Sequence, residues 1–100
     1  MIARVWKGWT TKENSRKYEE LFKSKVLPKV TRGVRGHKGT DLLRRESENE
    51  VEFTTIFWFE SLEDVKSFAG EKFERAVVPG EVQELMLRYE KTVQHHEVVL

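Results

Sequence analysis

Two adjacent histidines near the end of the chain, His95 and His96, are the residues whose type most directly suggests chemistry. Imidazole binds metal ions and changes its charge near neutral pH. Adjacent residues of a strand point to opposite faces, so the two rings cannot hold one ion from a regular strand, and carboxylates at a helpful spacing are missing. We therefore expect no metal site. One ring is predicted to face a pocket or a dimer interface, where it could act as an acid or base; the alternative is a surface or interface histidine.

A basic cluster surrounds the glycines of residues 31–39. Its charges and free backbone amides could hold a phosphate or a carboxylate. The basic residues are Arg32, Arg35, His37 and Lys38. Arg44 and Arg45 follow, and acids at positions 46, 48 and 50 balance them. We therefore favour a solvated loop over an anion site in this stretch.

Three tryptophans, Trp6, Trp9 and Trp58, could line a ligand pocket. Aromatic residues at strand spacing more often pack in a core or an interface, which is the interpretation we favour. Asp41 and Glu52 could face the interior as acids with a raised pKa, although exposure to solvent is the simpler explanation. No Ser-His-Asp order, phosphate-binding glycine loop or metal motif is present.

The hydrophobic pattern predicts the elements that must position these residues. Residues 2–9 form a predicted strand, and Thr10 and Glu13 match a capping box that opens an amphipathic helix. Pro28 disfavours helical geometry at the residue before it, so the helix is predicted to end near Leu27. A second strand is predicted over residues 37–46, and residues 47–50 form a polar hairpin turn.

The third predicted strand is an uncharged run, and both of its faces are apolar. Phe53, Thr55, Phe57 and Phe59 alternate with Thr54, Ile56 and Trp58. Ser61 and the acids after it predict a helix start, and Gly70 its C-terminal cap. Short helical pieces are predicted near residues 73–77 and 82–86, and a last strand over residues 91–100.

The resulting order, β-α-β-β-α-β, is that of a ferredoxin-like α+β domain with an antiparallel sheet. Helices cover one face of such a sheet. Because the third strand is apolar on both faces, we predict that two copies pack sheet against sheet as a homodimer.

Composition restricts the remaining classes of function. The chain has 100 residues, a net charge of +1 and no cysteine, which predicts one domain over residues 1–100 without disulfides or thiolate chemistry. Nothing in the charge favours nucleic acid, and no apolar run suits a membrane span or a signal peptide. We therefore expect a cytoplasmic protein with neither nucleic acid nor membrane as a partner.

The chain resembles the antibiotic biosynthesis monooxygenase-like family of dimeric α+β barrels over essentially its whole length. The resemblance rests on Gly36-His37-Lys38-Gly39 at the start of the second strand, the polar hairpin, and Phe59-Glu60-Ser61 with Phe68 downstream. Haem-degrading members carry an Asn, a Trp and a His at positions that here hold Trp6, Phe59 and Val77 or Val78. Haem breakdown is therefore not expected.

The resemblance implies a pocket between the helices and the sheet, or within the barrel of two protomers. It implies a cofactor-free monooxygenase-like enzyme that acts on a small aromatic or quinone-like molecule. The implied polar candidates are His95, Arg4 and His37, and His96 is a further one. The implied pocket lining is Trp6, Thr55, Phe57 and Phe59. Two alternatives stay open: a non-catalytic ligand-binding or structural homodimer, and an isomerase or decarboxylase that uses a pocket histidine.

Overall fold

Five antiparallel strands form one open sheet in a computed structural model that describes all of residues 1–100. The strands are β1 (Ile2–Thr10), β2 (His37–Glu46), β3 (Val51–Phe59), β4 (Met86–Tyr89) and β5 (Gln94–Glu97). Strand β1 lies at the centre: it pairs along one edge with β3, and along the other with β4 and β5, which share that edge. Strand β2 pairs with the outer edge of β3. This α+β architecture is compatible with the predicted ferredoxin-like fold.

The first helical region is longer than the sequence predicts. Helix α1 (Lys12–Leu21) continues through a π-helical turn (Phe22–Val26) into α2 (Leu27–Thr31). The predicted end near Leu27 is wrong because the Leu27 amide donates to the Phe22 carbonyl and the helical backbone continues into α2. Pro28 falls in the first turn of α2, where a missing N–H group costs little.

The predicted cap of this region is shifted by one residue. The hydroxyl of Thr11, not Thr10, accepts the amide of Asn14 at 3.0 Å. Thr10 is instead fully buried at the end of β1, and its hydroxyl donates to the Thr11 carbonyl. Both residues are threonines, so the local pattern does not distinguish them, and the burial of the strand end decides which one caps.

Helix α3 (Leu62–Ala69) follows the prediction at both ends. Ser61 caps it by accepting the Asp64 amide, and Gly70 ends it with a φ of 85°, in the region that favours glycine. Helix α4 (Gly80–Leu85) comes after an irregular stretch. No helix of the protein is long and apolar enough to cross a membrane.

The chain end departs from the prediction of one long last strand. Met86, expected in a helical piece, begins β4, and β5 covers only four residues. Gly8 explains the close packing of β4, since a Cβ atom there would meet the Trp6 ring at 2.7 Å and the Met86 sulfur at 2.9 Å. The sulfur therefore packs where only a glycine leaves room.

The two faces of the sheet differ in what covers them. The paired register places Arg4, Trp6, Thr55 and Phe57 on one face, which the helices cover, and Val5, Ile56 and Trp58 on the other. The core lies on the helix side, where seven buried residues form one cluster: Trp6, Tyr18, Phe22, Val51, Phe53, Val82 and Val93. We call the second face the open face, since no element of the chain covers it.

Candidate ligand cavity

A cavity of about 210 Å³ lies between the helix-covered face of the sheet and the helices. Its floor comes from β1 and β3, and its walls come from α1, the π-helical turn, α2, residues 76–82, Phe68 of α3 and Val93. Thirteen of its 19 lining residues are hydrophobic, a lining typical of sites for small organic molecules. The floor residues are Arg4, Trp6, Thr55 and Phe57.

The π-helical turn forms one wall of the cavity. Phe22, Lys25 and Val26 of this turn all line it. The Phe22 ring stacks nearly parallel to the Phe57 ring, with an interplanar angle of 10° and centroids 6.4 Å apart. π-Helical turns are rare and frequently accompany functional sites, because they reposition side chains against a regular helix.

Arg4 is a buried cation in the cavity floor, with only 3% of its surface exposed. Its guanidinium donates to the Phe73 carbonyl at 2.6 Å, to the Arg75 carbonyl at 3.3 Å and to a ring nitrogen of His95 at 3.0 Å. Burial lowers the pKa of Arg4 to about 10, so the group stays charged at neutral pH. No carboxylate forms an ion pair with it.

His95 lies behind Arg4 and does not line the cavity. Because a guanidinium can only donate, the His95 Nε2 atom must be the acceptor, and the ring is neutral with its proton on Nδ1. Burial, and secondarily the positive charge of Arg4, lowers the pKa of His95. His95 therefore orients Arg4 in this geometry, and a catalytic role for it remains a prediction.

Two hydroxyl groups complete the polar part of the cavity. Tyr18 is 2% exposed, and burial raises its pKa to about 12, so it stays neutral and can donate a hydrogen bond. The nearby Thr55 hydroxyl acts in the opposite direction on the pKa of Tyr18, but the two hydroxyl groups do not form a hydrogen bond. Thr55 Oγ1 is the one buried side-chain polar atom without a partner.

The mouth of the cavity carries charge. Lys25 of the π-helical turn pairs with Glu81 of α4 at 3.1 Å, and both side chains are largely exposed. Lys29 also lines the cavity, and no carboxylate pairs with it. The rim therefore holds two ammonium groups and one carboxylate.

The remaining site candidates lie elsewhere. His37 is hydrogen-bonded to the Thr40 hydroxyl at 2.8 Å, and its ring packs edge-on against Phe57 and Phe59. Phe59 is fully buried beside Phe68 and does not reach the cavity. The structure thus brings Arg4, Trp6, Thr55 and Phe57 together, places His95 next to them, and leaves His37 and Phe59 outside.

The other charged and aromatic candidates are accounted for by local contacts. In the basic cluster, Arg35 pairs with Asp64 at 3.3 Å and Lys38 with Glu60 at 3.6 Å. On the open face, the Trp58 indole donates to Asp41 at 2.8 Å, and Glu52 pairs with Lys7 at 3.6 Å. The remaining tryptophan of that face, Trp9, lies under the Arg88 guanidinium. These contacts give each of the named charged groups a partner within the chain.

Sequence reasoning missed part of the cavity. Tyr18 lies on the apolar face of the predicted first helix, but nothing in the local sequence marks its hydroxyl as part of a cavity. Lys25 and Lys29 gave no signal, because the π-helical turn changes which side chains face inward. The covering stretch 76–79 has no regular structure, so the short helical piece predicted near residues 73–77 is wrong.

No protein-family model matches this chain, and no curated protein matches it. No group of three or more His, Asp or Glu side chains is placed to hold a metal ion.

Proposed function

We propose that this protein binds a small aromatic or quinone-like molecule in the cavity between the sheet and the helices. The observation that carries the proposal is the cavity itself: an apolar lining that includes five aromatic rings and into which a few polar groups converge. Trp6, Phe22 and Phe57 provide ring surfaces, and Arg4 and Thr55 provide polar contacts. Aromatic ligands pack favourably against such rings.

As its reaction we propose a cofactor-independent, monooxygenase-like conversion, as in the antibiotic biosynthesis monooxygenase-like family that the sequence resembles. In such a step an activated CH₂ carbon of the substrate reacts with O₂, one oxygen atom becomes the carbonyl oxygen, and the other leaves as water with the two hydrogens. The substrate supplies all four electrons. Arg4 would stabilise the anionic form of the substrate, because a fixed positive charge lowers the pKa of a group bound beside it.

We further propose that the open face packs against a second copy, which would give the dimeric α+β barrel. Apolar side chains on this face support the proposal, among them Leu43, which is 51% exposed, and the half-buried Val5, Ile56 and Trp58. Antiparallel sheets of this size usually cover such a surface or leave it polar. Sedimentation analysis should give a dimer, and Ile56→Lys should yield monomers; a monomeric wild-type protein at high concentration would refute the barrel.

A second candidate function, non-catalytic ligand binding by the same homodimer, has one observation in its favour. No histidine lines the cavity, and the single carboxylate there, Glu81, is paired with Lys25 at the rim. A substrate proton would therefore have no obvious base to accept it. The same observation disfavours an isomerase or decarboxylase that depends on a pocket histidine.

Oxygen consumption separates the two candidates. The wild-type protein is mixed with a panel of one- and two-ring aromatic compounds that carry an activated CH₂ group, and oxygen uptake is compared with ligand binding measured by tryptophan fluorescence. Binding with oxygen uptake supports the monooxygenase-like function, and binding without oxygen uptake supports non-catalytic ligand binding. Ala76→Phe, which fills the cavity, should abolish binding, whereas Leu87→Phe on exposed β4 should not. Equal binding by both variants would contradict the cavity as the site.

A further inference from the structure

The positive charge of Arg4 is buried and forms no ion pair with a carboxylate. The Glu74 carboxylate acts on the neighbouring His95 ring instead. The structure gives partners to three of the five N–H groups of the guanidinium, namely two backbone carbonyls and the neutral His95 ring. Two N–H groups remain without a partner. A buried charge normally has a counterion, because removal from water is costly unless another charge offsets it. Arg4 is thus a buried cation that has free N–H donors and forms no ion pair within the chain. A bound anion could supply the missing negative charge.

A second polar group without a partner lies on the same face of the sheet. Arg4 is paired with Phe57 across the strands and Trp6 with Thr55, so Arg4 and Thr55 are diagonal neighbours. Diagonal neighbours are about 7–8 Å apart at the backbone, within reach of a long side chain and a ligand between them. Thr55 Oγ1 is completely buried and makes no hydrogen bond in the protein. Both groups line the cavity, so one ligand group could contact both.

The other charged groups that line the cavity also give it a net positive charge. Its lining includes three cations, Arg4, Lys25 and Lys29, and one carboxylate, Glu81. Glu81 is already paired with Lys25, which leaves Arg4 inside and Lys29 at the mouth uncompensated. Because the chain as a whole is nearly neutral, at +1, this excess of positive charge is a local property of the cavity.

We propose that the ligand of this cavity is an anion: a flat apolar molecule of one or two rings with a single ionised oxygen group that Arg4 and Thr55 bind at the cavity floor. This inference rests on the proposed function and names the chemical class of its ligand. An apolar cavity of about 150 Å³ accepts a benzene ring. The present cavity, at about 210 Å³, has room for a slightly larger molecule. The ionised group is a carboxylate or a phenolate, which share the negative oxygen that a guanidinium recognises.

Matched probes test the charge directly. 2-Naphthoate and 2-naphthamide have nearly the same shape and differ in charge, and 2-naphthol reports a phenolate by the shift of its absorption on ionisation. At pH 7.5 and low salt, the wild-type protein should bind 2-naphthoate at least tenfold more tightly than 2-naphthamide, as measured by calorimetry. Tight binding of 2-naphthol with the spectrum of its anion would identify the phenolate as the preferred group. Equal affinity for all three, with 2-naphthol bound as the neutral molecule, would overturn the inference and leave the cavity proposal standing; no binding of any probe would overturn both.

A pair of variants locates the charge. Arg4→Met should remove the preference for 2-naphthoate over 2-naphthamide, whereas Arg88→Met, which removes an exposed arginine of the open face, should retain it. Retention of the preference in Arg4→Met would overturn the role of Arg4.

If Arg4→Met does not fold, nuclear magnetic resonance of the wild-type protein decides instead. The Arg4 Nε–H resonance should move on addition of 2-naphthoate and stay in place with 2-naphthamide. An equal shift with both probes, or with neither, would overturn the inference.

Discussion

The two faces of the sheet each carry an arginine close to an aromatic ring, but the two arginines differ in burial and in ion pairing. On the open face the arginine is exposed and paired: Arg88 lies over Trp9 and makes two hydrogen bonds of 2.7 Å to Glu50. On the helix-covered face the arginine is buried and unpaired by any acid: Arg4 lies near Phe68 and bonds only neutral groups. The first arrangement is what solvent contact alone would favour. The second is costly to the protein without a ligand, which makes it the better guide to function.

The largest expected difference between the faces concerns packing. Phe53 is fully buried and packs edge-on against Tyr18, with the two ring centroids 4.8 Å apart. Phe53→Ala should therefore lower the free energy of unfolding by about 3–5 kcal/mol. Leu43→Ala on the open face should cost about 1 kcal/mol or less in dilute protein, because Leu43 is half exposed. Urea denaturation measures both. If the open face forms the dimer, the cost of Leu43→Ala grows with protein concentration; equal losses in dilute protein would contradict the assignment of the core.

A second expected difference concerns the two arginines. Arg4→Met leaves two carbonyls in part-buried hydrogen bonds and the His95 ring without their donor, which should cost about 2 kcal/mol after the relief of the buried charge. Arg88→Met removes an exposed pair and should change stability little. Thermal and urea unfolding of both variants test this. A larger loss in Arg88→Met would mean that the surface network, not the buried arginine, holds the sheet together.

Stability should also depend on pH through His95. Its pKa is lowered in the folded protein, so the unfolded chain binds more protons as the pH falls below the ordinary value of 6.5. The stabilisation is therefore complete above that value and is lost on acidification through the window below it. His37, whose pKa burial also lowers, contributes in the same direction. His95→Gln should reduce the slope of melting temperature against pH in this window, and exposed His96→Gln should preserve it. Identical slopes in all three proteins would contradict the lowered pKa of His95.

The smallest expected effect separates two neighbouring threonines of β3. Thr55→Val removes a buried hydroxyl that has no partner, so stability should stay the same or rise by up to about 1 kcal/mol. Thr54→Val, on the open face, should change stability by less than about 0.5 kcal/mol. A clear destabilisation by Thr55→Val would show that its hydroxyl has a partner in solution. The same variant should weaken binding of 2-naphthoate, so stability and ligand affinity would move in opposite directions.

Much of the sheet could be predicted from local sequence. The uncharged run ending at Phe59 and the polar turn before it predict β3 and the hairpin, and the bounds of β2, 37–46, agree with the structure. Alternation along β3 also separates the residues of the two faces. These features succeed because they depend on neighbours in the chain, as strand periodicity and turn chemistry do.

The continued helix, strand β4 and the polar groups of the cavity depend on contacts between residues that are distant in sequence. The π-helical turn keeps the helix going past Pro28, and Met86 joins the sheet because Gly8 leaves room for it. Arg4 was a candidate by resemblance alone, since its partners are carbonyls about 70 residues away at Phe73 and Arg75. No local pattern marks a residue as buried by such contacts, and the unsatisfied Thr55 hydroxyl is visible only in three dimensions.

The measurement that tests the central claim most directly is a native mass spectrum of the protein isolated from its own cells, recorded for wild type and for Ala76→Phe. We predict that wild type carries one small aromatic molecule per chain and that the cavity-filled variant carries none. The same spectrum reports whether the chains are dimers. A bound mass that persists in Ala76→Phe, or a wild-type protein that stays empty even with excess 2-naphthoate, would contradict the cavity as the functional site.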